Sequence, residues 1–299
     1  MTLVRASIVQ GAYTQLASGV VIAVRYAAVR QQEPGAKIER AVLDYPSLQY
    51  RLLPYVAAAY ALMFQGRAMV TMNDASQSLQ DAGDFSMAAS LHATSSALKS
   101  LCTTISSDGI EECRRACGGH GFSMSSGLPQ AYANSMPSFT AEGDNWLLTQ
   151  QTVKYLYSVV QGTEEEPAGV SGYLADHESM LGERCSANTV EEMIELPMLQ
   201  RAFEVRTASE IAKAVGKMAA AEAAGDTDVF MGQLVMHYAV SKAHGLVSIV
   251  SAFNAAAEEM RAAGSSLAPV FVRMASLFAL SWIEVRFSID CSGLMFGAF

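Results

Sequence analysis

The sequence predicts an all-α protein arranged as two helical bundles. Three observations carry this. Long stretches are dominated by Ala, Leu, Met and Gln, which favour helix. These stretches are joined by short breaks of glycine, proline and small polar residues. No alternation of apolar and polar residues runs long enough to build a sheet. Of 299 residues, 51% are hydrophobic and 16% charged. That balance excludes disordered and collagen-like classes, and a chain of this length can bury a large core. The charged fraction lies well below the usual ~25%, so much of the surface is expected to pack against another subunit or a further segment.

Residues 4–31 read as one long helix, stopped at Glu33-Pro34-Gly35. Pro46 suits the first turn of a second helix reaching about residue 70. Pro54 within it predicts a kink or break. Asp84 is a candidate cap for a third helix, over 85–116. That helix is expected to bend near Asp108-Gly109 and to end at Gly118-Gly119-His120-Gly121. Residues 122–144 show no helical period, yet Met124, Leu128, Tyr132, Met136 and Phe139 make them too apolar for disorder. A packed functional loop is expected there. Helix resumes over 145–160. The acidic, proline- and glycine-containing run QGTEEEPAGVSG at 161–172 reads as a linker between a domain at 1–160 and another at 173–299. In the second domain, helices over 189–224, 226–263 and 269–287 suggest an antiparallel bundle.

The net charge of -9 disfavours nucleic-acid binding, because phosphate backbones repel an acidic chain. The uncharged stretches around 54–66 and 245–257 are too short to span a bilayer, so no membrane span is expected. Five cysteines without CxxC spacing argue against a disulfide framework or a zinc ribbon. His237 and His244, one heptad apart, lack an accompanying carboxylate and read as core or surface histidines; no metal site is expected.

Three constellations can carry chemistry. In GGHGF, Gly118 and Gly119 allow backbone to approach a ligand closely, and amides in such a turn can cradle a pyrophosphate. Read alone, the same residues are more simply a helix C-cap. In Glu142-Gly143-Asp144-Asn145, a carboxylate sits at a sharp turn with Asp144 or Asn145 capping the next helix. Desolvated by apolar neighbours, Glu142 becomes a competent base; otherwise it is an exposed loop glutamate. Arg25, Arg30, Gln31 and Gln32 close the first helix with donors suited to phosphate, or simply complement its macrodipole.

These signals occur in one order within longer matches. ECRRACGGHGFSMSSGLPQAYANSMPSFTAEGDN at 112–145, RASIVQGAYTQLASGVVIAVRYAAVRQQ at 5–32 and LDYPSLQYRLLPYVAAAYA at 43–61 strongly resemble the acyl-CoA oxidase family. The resemblance is dense over about 5–157 and looser beyond. It implies the two C-terminal helical domains of that family, lacking its N-terminal helical and central β domains. The chain is therefore expected to be one half of a longer or divided enzyme.

The resemblance further implies FAD-dependent oxidation of a fatty acyl-CoA to trans-2-enoyl-CoA, with O2 reduced to H2O2, in peroxisomal β-oxidation by a homodimer. Glu142 matches the base that takes the α-proton, its own amide matches a donor to the thioester oxygen, and Gly143 falls beside the substrate. Arg30, Gln32, Gly118 and Gly119 match positions that meet the FAD of the neighbouring subunit, and Asp144 and Asn145 match residues near the flavin. Ala141, Trp146 and Arg115 depart from the family pattern. Two other readings stand beside this one. An acyl-CoA dehydrogenase would pass electrons to another flavoprotein, although the second bundle favours an oxidase. A structural or dimerisation half would need a separate N-terminal half. The ending GAF is no SKL-type peroxisomal address.

Overall fold

A computed structural model describes residues 1–163 and 169–287. The first helix, α1 (Thr2–Val29), buries Ala6, Val9, Ala12, Leu16, Val20, Ala23 and Ala27 at spacings of three and four, the period of a single helix face. By length and composition α1 could cross a membrane; its uncharged run at 6–24 is longer than the two stretches named from the sequence. Here its buried stripe packs between α2 (Pro46–Asp81) and α3 (Ala88–Ala116). α2 runs antiparallel to α1, with Gly66 against Gln10 and Tyr45 against Gln32. α3 runs parallel to it: Arg5 meets Ser96, Ser106 donates to the Ala12 carbonyl at 2.9 Å, and Tyr26 meets His120.

Two expected breaks are not breaks. α2 passes through Pro54 and continues to Asp81. Its last turns are reinforced by Ser78 donating to the Asp74 carbonyl and Gln77 to Asp81. Gly109 lies inside an unbroken α3, where the Leu16 and Tyr55 side chains occupy the place of a Cβ. That glycine serves close packing rather than bending. Asp84 caps the turn before α3, accepting from Ser86 N at 2.8 Å, so the helix starts at Ala88 rather than at 85.

Residues 122–144 are also not the irregular loop expected. After α4 (Gly119–Phe122) come a 3-10 turn at Met124–Ser126, α5 (Leu128–Ser135) and another 3-10 turn at Met136–Phe139. Pro129 and Pro137 sit in the first turns of the last two, where a missing N–H costs nothing. Within the segment expected to be a loop, both prolines start helical turns.

α6 (Asn145–Val160) lies antiparallel to α3, with Thr152 donating to the Ala93 carbonyl. Residues 164–168 of the expected linker, and 288–299 at the chain end, lie outside the described residues. Short turns α7 (His177–Met180) and α8 (Val190–Met193) lead into α9 (Leu196–Ala223), α10 (Leu234–Ala262) and α11 (Ala268–Phe287). These helices pack directly on the first segment. Phe64 of α2 meets Phe253 of α10 and Phe271 of α11, and Ser248 donates to Gln65 at 3.0 Å. One apolar core is continuous through both segments. Among the described residues the backbone pairing outside helices is a single isolated bridge, Gln31 to Ala41.

Candidate functional site

The sequence-predicted residues gather at two ends of the helical layer. Glu142, Gly143, Asp144 and Asn145 lie near the start of α1. Arg30, Gln32, Gly118 and Gly119 line one cleft at its far end. Arg5 and Arg30 are 25 positions apart, about 37 Å along a helix rising 1.5 Å per residue.

At the first end, Glu142 is half-buried and has φ 58°, the only positive φ outside glycine among the described residues. Such a conformation costs roughly 1–2 kcal/mol for an L-residue, so the surroundings must impose it. They do so through two buried cations. Arg5, 3% exposed, donates from Nε to the Glu142 carbonyl at 3.1 Å and from Nη1 to Ser96 Oγ at 3.2 Å. Lys99, fully buried, donates from Nζ to the carbonyls of Gly143 at 2.7 Å and Phe139 at 3.2 Å, and to Asn145 Oδ1 at 2.9 Å. Three donors meet three acceptors, which is what a buried ammonium requires. Burial pushes the Lys99 ammonium down to about 8 against the pull of Asp144 and Glu142, so it is charged at neutral pH. Burial also lowers Arg5, with Glu142 opposing. Arg5 faces the His92 ring as well, and His92 is held low by burial and by Arg5.

The next two residues are structural. Asp144 caps α6, accepting from Trp146 N at 2.9 Å and Leu147 N at 3.4 Å. Asn145 is 6% exposed and points inward. Its amide donates to Thr103 Oγ1 and the Ser100 carbonyl while its Oδ1 accepts from Lys99. Gly143 has φ 115°, and Leu148 Cδ2 lies 2.9 Å from where a Cβ would stand. The Ala141 amide donates to Pro137 O and the Gly143 amide to Thr140 O. Between them, the Glu142 amide has no acceptor among the described residues. A carboxylate and an unpaired N–H on one residue are the groups that a general base and an oxyanion donor require. Trp146 is exposed and stacks on Tyr238 with ring centroids 4.2 Å apart.

The sequence reading missed Arg5 and Lys99. A signal for Lys99 existed: it is the only Lys, Arg, Asp or Glu between Asp84 and Asp108.

At the second end, an open cleft of about 580 Å³ is lined by Arg30, Gln32, Tyr26, His120, Gly118 and Gly119, among others. Gly118 has φ 56°, and a Cβ on Gly118 or Gly119 would meet nothing within 4 Å, so both present bare backbone to the cleft. Gly121 serves packing instead, its Cα lying against the Arg114 carbonyl. Tyr26 and His120 pair at 3.0 Å. A cationic guanidinium beside accessible glycine backbone suits a phosphate-bearing ligand.

The class so defined is an all-helical layer with a strained carboxylate at one end and a glycine-floored, arginine-bearing cleft at the other. The family profiles "Acyl-CoA oxidase, C-alpha1 domain" and "Acyl-CoA oxidase" match residues 1–157 and 195–291. The chain belongs to the acyl-CoA oxidase family. It is 39% identical over 211 residues to peroxisomal acyl-coenzyme A oxidase 1 of Arabidopsis thaliana, covering 69% of this chain and 32% of that protein. The human peroxisomal acyl-coenzyme A oxidase 1 is 41% identical over 159 residues, covering 52% and 24%. The solved structure of Arabidopsis thaliana acyl-CoA oxidase 1 superposes with TM-score 0.88 at 32% identity, covering 96% of this chain and 44% of that one. Acyl-CoA oxidase-1 of Caenorhabditis elegans, complexed with FAD and ATP, gives TM-score 0.86 at 25% identity, covering 99% and 45%. The chain thus spans about a third of the curated Arabidopsis relative and under half of these solved chains.

Proposed function

We propose that this chain supplies the catalytic base of an FAD-dependent acyl-CoA oxidase, converting a fatty acyl-CoA and O2 to trans-2-enoyl-CoA and H2O2. The observation that carries this is Glu142, a carboxylate held at φ 58° beside its own unpaired amide. In this reading the Glu142 carboxylate takes the α-proton. Its N–H donates to the thioester oxygen as negative charge develops there, a fixed donor that needs no reorganisation. Gly143 follows the base directly; Leu148 takes up the place of its Cβ, so in this reading it would meet substrate through its backbone. Among the described residues Arg5 and Lys99 are the cations that act on Glu142; in this reading the cover that dries the base comes from substrate and from polypeptide of the relatives' other half.

The far cleft fits FAD: Arg30 and Gln32 face the open glycine backbone of Gly118 and Gly119. FAD, when bound, supplies acceptance of the hydride equivalent from the β-carbon. Arg30 would hold its phosphates and Gln32 its polar edge. The roughly 37 Å between Arg30 and Arg5 supports a homodimer in which the two ends of one chain serve two different sites. Asp144 and Asn145 hold the start of α6, and in this reading that helix end would lie beside the flavin. The named relatives support the peroxisome as compartment.

The test is turnover of palmitoyl-CoA by the flavin-loaded enzyme containing this chain. Stoichiometric H2O2 release supports the oxidase; strict dependence on an artificial electron acceptor would make it a dehydrogenase.

A further inference from the structure

We propose that Lys99 is the positioning residue of the Glu142 turn: its ammonium, fixed on α3, sets the direction of the Gly143 carbonyl and the start of α6, and so aims the Glu142 carboxylate and amide. This deepens the function proposed above and rests on it.

Glu142 adopts a conformation that non-glycine residues avoid, and only tethers on both sides keep it there. Arg5 draws the Glu142 carbonyl inward. Lys99 draws the next carbonyl, Gly143 O, inward at 2.7 Å. The same ammonium holds Phe139 O, before the turn, and Asn145 Oδ1, after it. One buried charge therefore spans the turn from end to end, and Asn145 passes the constraint on to α3 through Ser100 and Thr103. With both carbonyls turned inward, the amide preceding them is left unpaired. Removing the ammonium leaves three acceptors, one buried and two partly buried, without this donor, and the strained residue is then free to relax.

The groups facing Lys99 are Asp144 and Glu142, which favour the charged form, and Arg5, which opposes it; His92 reaches the cluster through Arg5. Loss of the Lys99 proton removes one donor and the charge together, so the turn loosens as pH rises above about 8.

The sequence holds two tryptophans, Trp146 and Trp282. With Trp282→Phe, Trp146 becomes the sole tryptophan and reports on the turn it follows. Its emission in the lysine-containing protein is expected to titrate with a midpoint near pH 8. Lys99→Arg, which stays charged, should abolish that titration. Lys99→Met should raise amide hydrogen exchange in 139–145 at least tenfold with helix content unchanged. In the flavin-loaded enzyme, Lys99→Met should lower kcat at least a hundredfold with KM within threefold, and Lys99→Arg should restore part of it.

The proposal is overturned by unchanged exchange at 139–145 in Lys99→Met. It is equally overturned by a Trp146 titration that persists in Lys99→Arg, or by an unchanged kcat in Lys99→Met. Retained turnover in Glu142→Gln would remove the base assignment instead, while exchange and emission would still judge the clamp on their own.

Discussion

Lys99 Nζ donates to the Gly143 carbonyl at 2.7 Å, tying the middle of α3 to a turn 44 residues later in the chain. With the Arg5–Glu142 contact at 3.1 Å, it makes the geometry of the carboxylate a property of the helical layer rather than of the turn. The turn's local sequence, AEGDN, offers no reason for a glutamate to sit at positive φ. The cations beneath it do.

Glu142 therefore holds strain that the proposed function would use. Glu142→Gly is expected to abolish turnover without lowering thermal stability. The relieved strain of roughly 1–2 kcal/mol outweighs or cancels the entropy cost of a glycine, roughly 0.5–1 kcal/mol. Thermal unfolding monitored by circular dichroism checks this; a clear fall in Tm would show that the turn is not strained.

Gly66 marks the closest approach of α1 and α2. A Cβ there would stand 2.8 Å from Gln10 Cα, and backbone cannot move aside as a side chain can. Gly66→Ala is expected to cost about 1–3 kcal/mol by overpacking. Gly109→Ala, whose Cβ would meet the ends of the Leu16 and Tyr55 side chains, should cost less. Denaturant midpoints of the two variants rank them.

Acid stability is set partly by α10. His237 is fully buried with neither ring nitrogen hydrogen-bonded, against Tyr157 and Phe230. Burial lowers its pKa, and pushes His244, which pairs with Tyr173, down to about 4. An unfolded histidine titrates near 6.5. The unfolded chain therefore binds more protons below that pH, and stability falls from pH 6.5 down to about 4. For His244 the loss approaches roughly 3 kcal/mol. His237→Phe, which removes two unpaired buried nitrogens, should raise stability by about 1–2 kcal/mol and flatten the acid limb. A pH series of urea denaturation reads both effects.

The far cleft makes its own prediction. Gly118 has φ 56° and faces open space, so Gly118→Val combines backbone strain with obstruction. It should weaken FAD binding at least tenfold, and Arg30→Ala should weaken it more at low salt than at high salt. Quenching of flavin fluorescence in a titration measures both; unchanged affinity in either variant would remove that residue from the cofactor site.

Much of this was legible in the chain. The long helices follow from composition and from an apolar stripe such as Val9, Leu16, Val20 and Ala23. The order of GGHG and EGDN carried the family. Less legible was the role of each residue within those motifs. Asp144 and Asn145 read as flavin neighbours, yet their side chains are occupied by α6 and α3. Pro129 and Pro137 read as loop residues, because a proline that starts a helix and one that ends a helix look alike without the backbone around them. Lys99 was invisible to motif reading, since its meaning comes from three acceptors brought to it by a turn distant in sequence.

In the proposed function Glu142 takes the substrate α-proton. The most direct measurement of that step compares loss of deuterium from α-deuterated acyl-CoA by the flavin-loaded enzyme and its Glu142→Gln variant. A fall of about 10²–10⁴-fold in the variant, with flavin binding and helix content unchanged, is the predicted result. Deuterium loss at an undiminished rate in the variant would contradict it.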